Sequence, residues 1–132
     1  MTRSLDLSRT FVHLAPGGDA EPVELTPAFW RESSAGERYE RLVGAFDFAS
    51  AQDLHPSTQE MHPEADELLV VVSGALDVVI EEEGVERTVA LSAGRAAIVP
   101  RGVWHRLVVR EPGRLLFVNS RTGMQSRAAR QP

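Results

Sequence analysis

Residues 60–67 read EMHPEADE and residues 94–105 read GRAAIVPRGVWH, and these two segments decide the fold. Side chains alternate between the two faces of a strand, so Glu60 and His62 are predicted to point the same way. Glu67 and His105 are expected on strands of their own. Two imidazoles and two carboxylates that converge inside a barrel make a site for a divalent metal.

The first segment and the glycine after it resemble the first motif of the cupin family. That motif is written H-x-H, three or four residues, E, six residues, G. The matching residues here are His62, Glu67 and Gly74. Glu60 stands in the place of the leading His.

The second segment resembles the second cupin motif, which is written G, five residues, P-x-G, two residues, H, three residues, N. The spacing is kept, and the matching residues are Gly94, Pro100, Gly102 and His105. Val109 occupies the position of the Asn. The resemblance covers roughly residues 43–119 and implies a jelly-roll barrel, also called a double-stranded β-helix.

The resemblance implies a metal held by His62, Glu67 and His105, with Glu60 changing the usual three His and one Glu into two of each. The E-M-H-P opening is similar to a subgroup of small single-domain cupins of mostly unassigned function. Burying two carboxylates together is costly unless a cation or a proton compensates them, and this favours a divalent metal over a metal-free polar network. Zn, Fe, Mn and Ni all fit such ligands.

Glu60 has three interpretations: a fourth metal ligand, a proton-transfer group beside an open metal position, or a rim residue paired with an Arg. Three functional classes follow for the chain. It is a metal-dependent enzyme of dioxygenase, isomerase or lyase type, a noncatalytic module that binds or senses a small molecule, or a barrel kept for a protein contact.

Composition excludes several other classes. The length of 132 residues suits one domain, and the net charge of −5 argues against a nucleic-acid partner. The absence of Cys excludes disulfides and thiol chemistry, and the absence of Lys excludes Schiff-base chemistry. No apolar stretch approaches the ~20 residues of a membrane span. We expect no membrane association and a cytoplasmic location.

The pattern along the chain predicts an all-β domain with a short N-terminal helix. Thr26 and Pro27 are typical of a helix start. We divide the chain into an N-terminal arm at 1–40, a cupin barrel at 41–120 and a loose C-terminal tail at 121–132. Predicted strands cover residues 10–14, 42–48, 58–62, 68–72, 76–81, 85–91, 96–99, 103–109 and 115–119.

Leu68, Val70 and Val72 are predicted to face outward, opposite Glu67 and its inward neighbours. An outward apolar stripe needs a cover, which the second sheet, the N-terminal segment or a partner subunit could supply. We expect a homodimer, and the competing account is a cover by the chain's own N-terminal segment.

Other polar residues receive simpler interpretations. Asp66 is predicted at the surface, His55 in an exposed loop, and residues 81–83 at a solvated hairpin tip. Arg101 is expected in a surface ion pair.

Overall fold

The computed structural model describes residues 2–31 and 39–129. Within these residues there are nine strands, one α-helix and one 3₁₀ helix. In chain order the elements are β1 Thr10–Leu14, β2 Ala20–Glu24, α1 Pro27–Arg31, β3 Leu42–Phe48, the 3₁₀ helix Ala51–Leu54, β4 Thr58–Met61, β5 Glu67–Glu82, β6 Val85–Ser92, β7 Ala96–Val99, β8 Trp104–Asn119 and β9 Gln125–Ala128.

Two long strands, β5 and β8, pair with each other along most of their length and belong to both halves of the barrel. The start of β5 and the end of β8 form a first sheet, in the order β2-β1-β3-β8-β5-β7. The end of β5 and the start of β8 form a second sheet, in the order β9-β4-β8-β5-β6. All pairs are antiparallel, so the predicted all-β jelly roll is confirmed.

The two long strands bend where their pairing register shifts, between Val71 and Leu76. Gly74 has φ +77°, and a Cβ there would lie 2.3 Å from the carbonyl oxygen of Pro112. A Cβ on Gly113 would lie 1.9 Å from the carbonyl oxygen of Ser73. Both positions need glycine because the two backbones touch at the corner. The sequence predicts separate strands at 68–72 and 76–81, but both belong to the single strand β5. It likewise predicts separate strands at 103–109 and 115–119, but both belong to β8.

The apolar core lies between the two sheets. Leu69 and Leu115 come from the first sheet, whereas Leu76 and Val78 come from the second, and all four are buried. The N-terminal arm closes one side, because Phe11 packs edge-on against Phe117 with ring centres 5.1 Å apart. Helix α1 begins as predicted, with the Phe29 amide donating to Thr26 Oγ1 at 3.4 Å.

The C-terminal segment differs from its prediction. The sequence predicts a loose tail at residues 121–132, but β9 pairs with β4 from Thr58↔Ala128 to Met61↔Gln125. Because β9 has no alternation of apolar residues and pairs with an edge strand through its main chain, its residue types do not predict a strand. The residues after 129 lie outside the described part of the chain.

The outer face of the first sheet carries the predicted apolar stripe. Leu68 and Val70 are half-buried, Val72 is 52% exposed and Ile98 on the neighbouring β7 is 65% exposed. The homodimer stays a prediction: light scattering should give twice the chain mass of 14.5 kDa. A mass equal to one chain would contradict it. Among the described residues, no helix has the length and apolarity needed to cross a membrane.

Candidate metal centre

The predicted metal-binding residues come from three different strands and one loop, and the fold brings them to one end of the barrel. On the second sheet, Glu60 of β4 pairs directly with His105 of β8. His62 follows β4 by one residue, and Glu67 is the first residue of β5, where it belongs to the first sheet. The site therefore lies between the two sheets, and His62, Glu67 and His105 are all buried.

The carboxylate of Glu67 bridges the two imidazoles. Its Oε1 lies 2.8 Å from His105 Nε2, and its Oε2 lies 3.4 Å from His62 Nε2. Two ligands bonded to one ion at about 2.1 Å are about 3.0 to 3.4 Å apart in octahedral or tetrahedral geometry. The contact of His62 lies at the upper end of this range, and that of His105, made through the other carboxylate oxygen, is slightly shorter than the range.

Backbone and amide groups behind the site hold the two central side chains. His62 Nδ1 lies 2.8 Å from the Ser120 carbonyl oxygen, so Nδ1 carries the hydrogen and donates it. Nε2 is on the opposite side of the buried ring and faces Glu67 Oε2 at 3.4 Å, which is longer than a well-formed hydrogen bond. Asn119 Nδ2 donates to Glu67 Oε2 at 2.8 Å. Such partners orient metal-binding side chains in proteins.

The electrostatics of the cluster favour a carboxylate beside a cation. Burial alone would raise the pKa of Glu67, but its contacts with His105 and His62 outweigh burial and hold that pKa far below its usual range. Burial alone would lower the pKa of His62, but its contact with Glu67 outweighs burial and raises it. In the absence of a metal, a proton shared by this cluster supplies the compensating charge.

Glu60 lies at the edge of the same cluster. Glu60, His62 and His105 each offer a ligand atom, and these atoms lie within 4.8 Å of one another. Glu60 is half-buried and lines the main cavity, as the alternation with His62 predicted. Its carboxylate is therefore placed either to bind a metal or to exchange a proton with a molecule in the cavity.

The cavity beside these residues has a volume of about 440 Å³. Its polar side includes Thr58, Glu60, Glu67, His105 and Asn119. Its apolar lining is made by Phe11, Phe46, Leu54, Leu69, Leu107, Leu115, Phe117 and Met124. Asp53, His55, Arg106 and Arg121 also line it, and small-molecule sites commonly have this size and combine apolar walls with polar groups.

Other predicted residues have mixed outcomes. Asp66 accepts from the backbone and side chain of Arg101, which confirms the surface ion pair. His55 is exposed as predicted, and it also lines the cavity. The interpretation of residues 81–83 as a solvated tip is wrong for Glu81, which is buried against Gln59 and Arg127.

Asn119 and Ser120 were missed in the sequence. The inward positions Leu115 and Phe117 continue by alternation to Asn119, so strand periodicity could have revealed it. Ser120 acts through its carbonyl oxygen, and a backbone group leaves no signal in the residue type.

A comparison with protein-family models matches residues 51–119 to the cupin domain family. The chain belongs to the cupin family. The family assignment made from the two motifs is therefore confirmed, and a search of curated proteins found no match for this cupin.

Solved structures similar to this cupin include oxalate oxidase in complex with the substrate analogue glycolate, at 24% identity and TM-score 0.54, over 65% of this chain and 45% of that one. A conserved protein of unknown function from Streptococcus pyogenes has 20% identity and TM-score 0.52, over 63% of this chain and 66% of that one. Streptomyces albus HEPD, with 2-hydroxyethylphosphonate and Fe(II) bound, has 21% identity and TM-score 0.52, over 61% of this chain and 18% of that one. These similarities show the fold, and this cupin spans less than half the length of the two enzymes.

Proposed function

We propose that this cupin binds one divalent metal through His62, Glu67 and His105 and acts as a metal-dependent enzyme on a small organic molecule in its cavity. The observation that carries the proposal is the convergence of two imidazole nitrogens on one buried carboxylate: His62 Nε2 lies 3.4 Å and His105 Nε2 lies 2.8 Å from oxygens of Glu67, and the Ser120 carbonyl fixes the opposite nitrogen of His62. A buried carboxylate among imidazoles needs a proton or a cation, and a metal ion would supply the cation.

A bound metal would supply a Lewis acid that polarises a ligand oxygen. The chain's own residues do the remaining work. Asn119 holds the Glu67 carboxylate in place, and the apolar lining would contact the apolar part of the bound molecule. Glu60 faces the cavity and accepts or returns a proton there.

The similar HEPD structure supports a metal-dependent role, because it is described with Fe(II) bound. The alternative function is noncatalytic binding or sensing of a small molecule. It would use the metal and the cavity but would need no proton transfer by Glu60. Turnover of a bound molecule decides between the two functions.

Elemental analysis of protein purified without an affinity tag tests the metal. We expect one divalent ion per chain in the wild type and a loss of stoichiometric metal in His62→Ala. His13→Ala is the matched control, because His13 is also buried but bonds Glu21 and the Glu40 amide outside the cavity. A wild type that takes up no Zn, Mn, Fe or Ni would contradict the proposal.

A second variant tests the role of Glu60. Replacing this carboxylate in Glu60→His should keep the fold and tighten the binding of metals that prefer nitrogen, if Glu60 is a ligand. Unchanged metal affinity with altered turnover would instead assign Glu60 to proton transfer.

A further inference from the structure

The cavity extends away from the metal-binding end along β5 and both ends of β8, and the residues next to that end are apolar. Side chains two residues apart on a strand share a face and lie about 7 Å apart. The cavity residue that follows Glu67 on β5 is Leu69, and the one that follows His105 on β8 is Leu107. Phe117, near the end of β8, also lines this region. A molecule that reaches beyond the metal-binding end therefore meets apolar side chains on both sheets.

Further apolar side chains close the cavity from outside the two long strands. Phe46 of β3, Leu54 of the 3₁₀ helix and Met124 before β9 line the cavity and are half-buried, as is Leu107. A ligand packed against these four side chains would cover apolar surface that is otherwise accessible to water. Because burial of apolar surface stabilises a complex in proportion to its area, the cavity favours a ligand with an apolar body.

Two charged side chains that line the cavity, Asp53 and Arg106, are held by partners in the protein. Asp53 Oδ2 accepts from the backbone amides of Ala49 and Ser50 at 2.7 and 3.0 Å. Arg106 is paired with Glu86 at 3.7 Å. A ligand with many hydroxyl groups would have to share these groups with their protein partners, and a buried hydroxyl without a partner costs binding free energy. The lining therefore disfavours a sugar-like ligand.

The volume of the cavity sets the size of the molecule that fills it. A water molecule has a share of about 30 Å³ in the liquid, so about 440 Å³ holds on the order of fifteen groups of that size. A two-carbon molecule would leave most of this space without contacts to its lining. A ligand that uses the apolar walls is therefore considerably larger than such a molecule.

We propose that the cavity binds a molecule with two unlike parts: an oxygen-bearing head at the metal-binding end, and a hydrocarbon body that lies among Leu69, Leu107 and Phe117. This inference rests on the proposed function, since the metal holds the head, whereas the protein alone recognises the body. It selects acids and related chelating compounds with an alkyl or aryl body over sugars and two-carbon acids.

Isothermal titration of the Zn-loaded full chain tests the proposal with hydroxamates, which share one zinc-binding head and differ in the tail. Hexanohydroxamate extends acetohydroxamate by methylenes alone, and gluconohydroxamate has the same number of carbons but a hydroxyl on every tail carbon. Each buried methylene raises affinity by about fourfold, so hexanohydroxamate should bind at least about tenfold more tightly than acetohydroxamate. Gluconohydroxamate should bind no more tightly than acetohydroxamate. Equal affinities for acetohydroxamate and hexanohydroxamate, or for gluconohydroxamate and hexanohydroxamate, overturn the apolar body.

A matched pair of variants locates the body. Leu107→Gln should lower the ratio of the hexanohydroxamate to the acetohydroxamate affinity by about fivefold or more. Val108→Gln should leave this ratio unchanged, because Val108 is the next residue on β8 and faces the other side of the sheet. Leu54→Gln, on the 3₁₀ helix, repeats the test if Leu107→Gln loses Zn. An unchanged ratio in the cavity variants would place the tail elsewhere and overturn the proposal.

The metal and the ligand class can fail separately. If the protein binds no Zn, the proposed function fails, and the same hydroxamates then measure the effect of the tail in the metal-free protein. A rise in affinity with tail length there supports the apolar body, and its absence overturns it. Zn binding without such a rise leaves the metal proposal standing and overturns the ligand class.

Discussion

Two buried glutamates, Glu81 and Glu67, have opposite kinds of neighbour. The Glu81 side chain is 4% exposed and lies on the second sheet, where Arg127 Nη2 donates to it at 2.5 Å and Gln59 Nε2 at 3.2 Å. The Glu67 side chain is 6% exposed and lies between the imidazoles of His62 and His105. Each carboxylate has lost most of its water, so each needs a positive partner.

The two clusters differ in whether the positive charge of the partner is permanent. Arginine stays protonated at all pH values relevant to proteins, and Arg127 is also held over the Trp104 ring with its guanidinium carbon 4.0 Å from the ring centre. Imidazoles lose their charge near neutral pH. The Glu81 cluster therefore has a permanent cation supplied by the protein, whereas the Glu67 cluster needs a proton or a metal ion. Burial of a carboxylate by itself does not distinguish a structural site from a functional one.

The largest expected effect separates the two clusters by metal addition. At a metal concentration a hundredfold above its Kd, the wild type should gain about 2.7 kcal/mol of unfolding free energy. His62→Ala should gain none, and Arg127→Met should gain as much as the wild type. Chemical denaturation with and without metal measures all three. If metal addition did not raise the unfolding free energy of Arg127→Met, the two clusters would be coupled.

Removing the permanent cation is the second test. Arg127→Met leaves Glu81 buried without its arginine and should lower the unfolding free energy of the metal-free protein by about 2 kcal/mol. This is less than the 3–5 kcal/mol typical of a fully buried pair, because the Arg127 side chain is 42% exposed. Urea denaturation gives the value. In the double variant with Glu81→Leu, most of the loss should disappear, and a persistent loss would assign it to the Trp104 contact instead.

The smallest effect is the pH dependence of the metal-free protein. Because the pKa of Glu67 is lower in the folded than in the unfolded protein, its ionised carboxylate stabilises the fold above the unfolded pKa near 4.5. This stabilisation is lost as the pH falls. Because the pKa of His62 is higher in the folded than in the unfolded protein, its protonated imidazole stabilises the fold below the unfolded pKa near 6.5. This stabilisation is lost as the pH rises. The contribution of this cluster should therefore be greatest between about pH 4.5 and 6.5.

Unfolding measured across pH checks this window by comparing the wild type with His62→Gln. The variant should lack the decline on the alkaline side. A decline of the same size in both proteins would assign it to groups outside the Glu67 cluster.

Much of the first sheet was predictable from residue types. The strand Leu42–Phe48 and the inward positions Leu69 and Val71 follow from the alternation of apolar residues. The second sheet was less predictable, since β9 has no buried residue and pairs with β4 through its backbone. The burial of Glu81 depends on that pairing, because β9 carries Arg127. A run of three acidic residues indicates a solvated turn until a distant cation is placed beside it.

The sequence by itself determined the family, the barrel and the residues that face its interior at Glu60, His62, Glu67 and His105, because strand periodicity and motif spacing are local properties. Only the tertiary structure decided which groups surround them. The Ser120 carbonyl and the Asn119 amide lie far along the chain from His62 and Glu67, and the bend of β5 and β8 at Gly74 and Gly113 belongs to the fold that brings them together. Contacts made by backbone atoms and by distant strands are fixed by chain closure, so no short pattern of residue types records them.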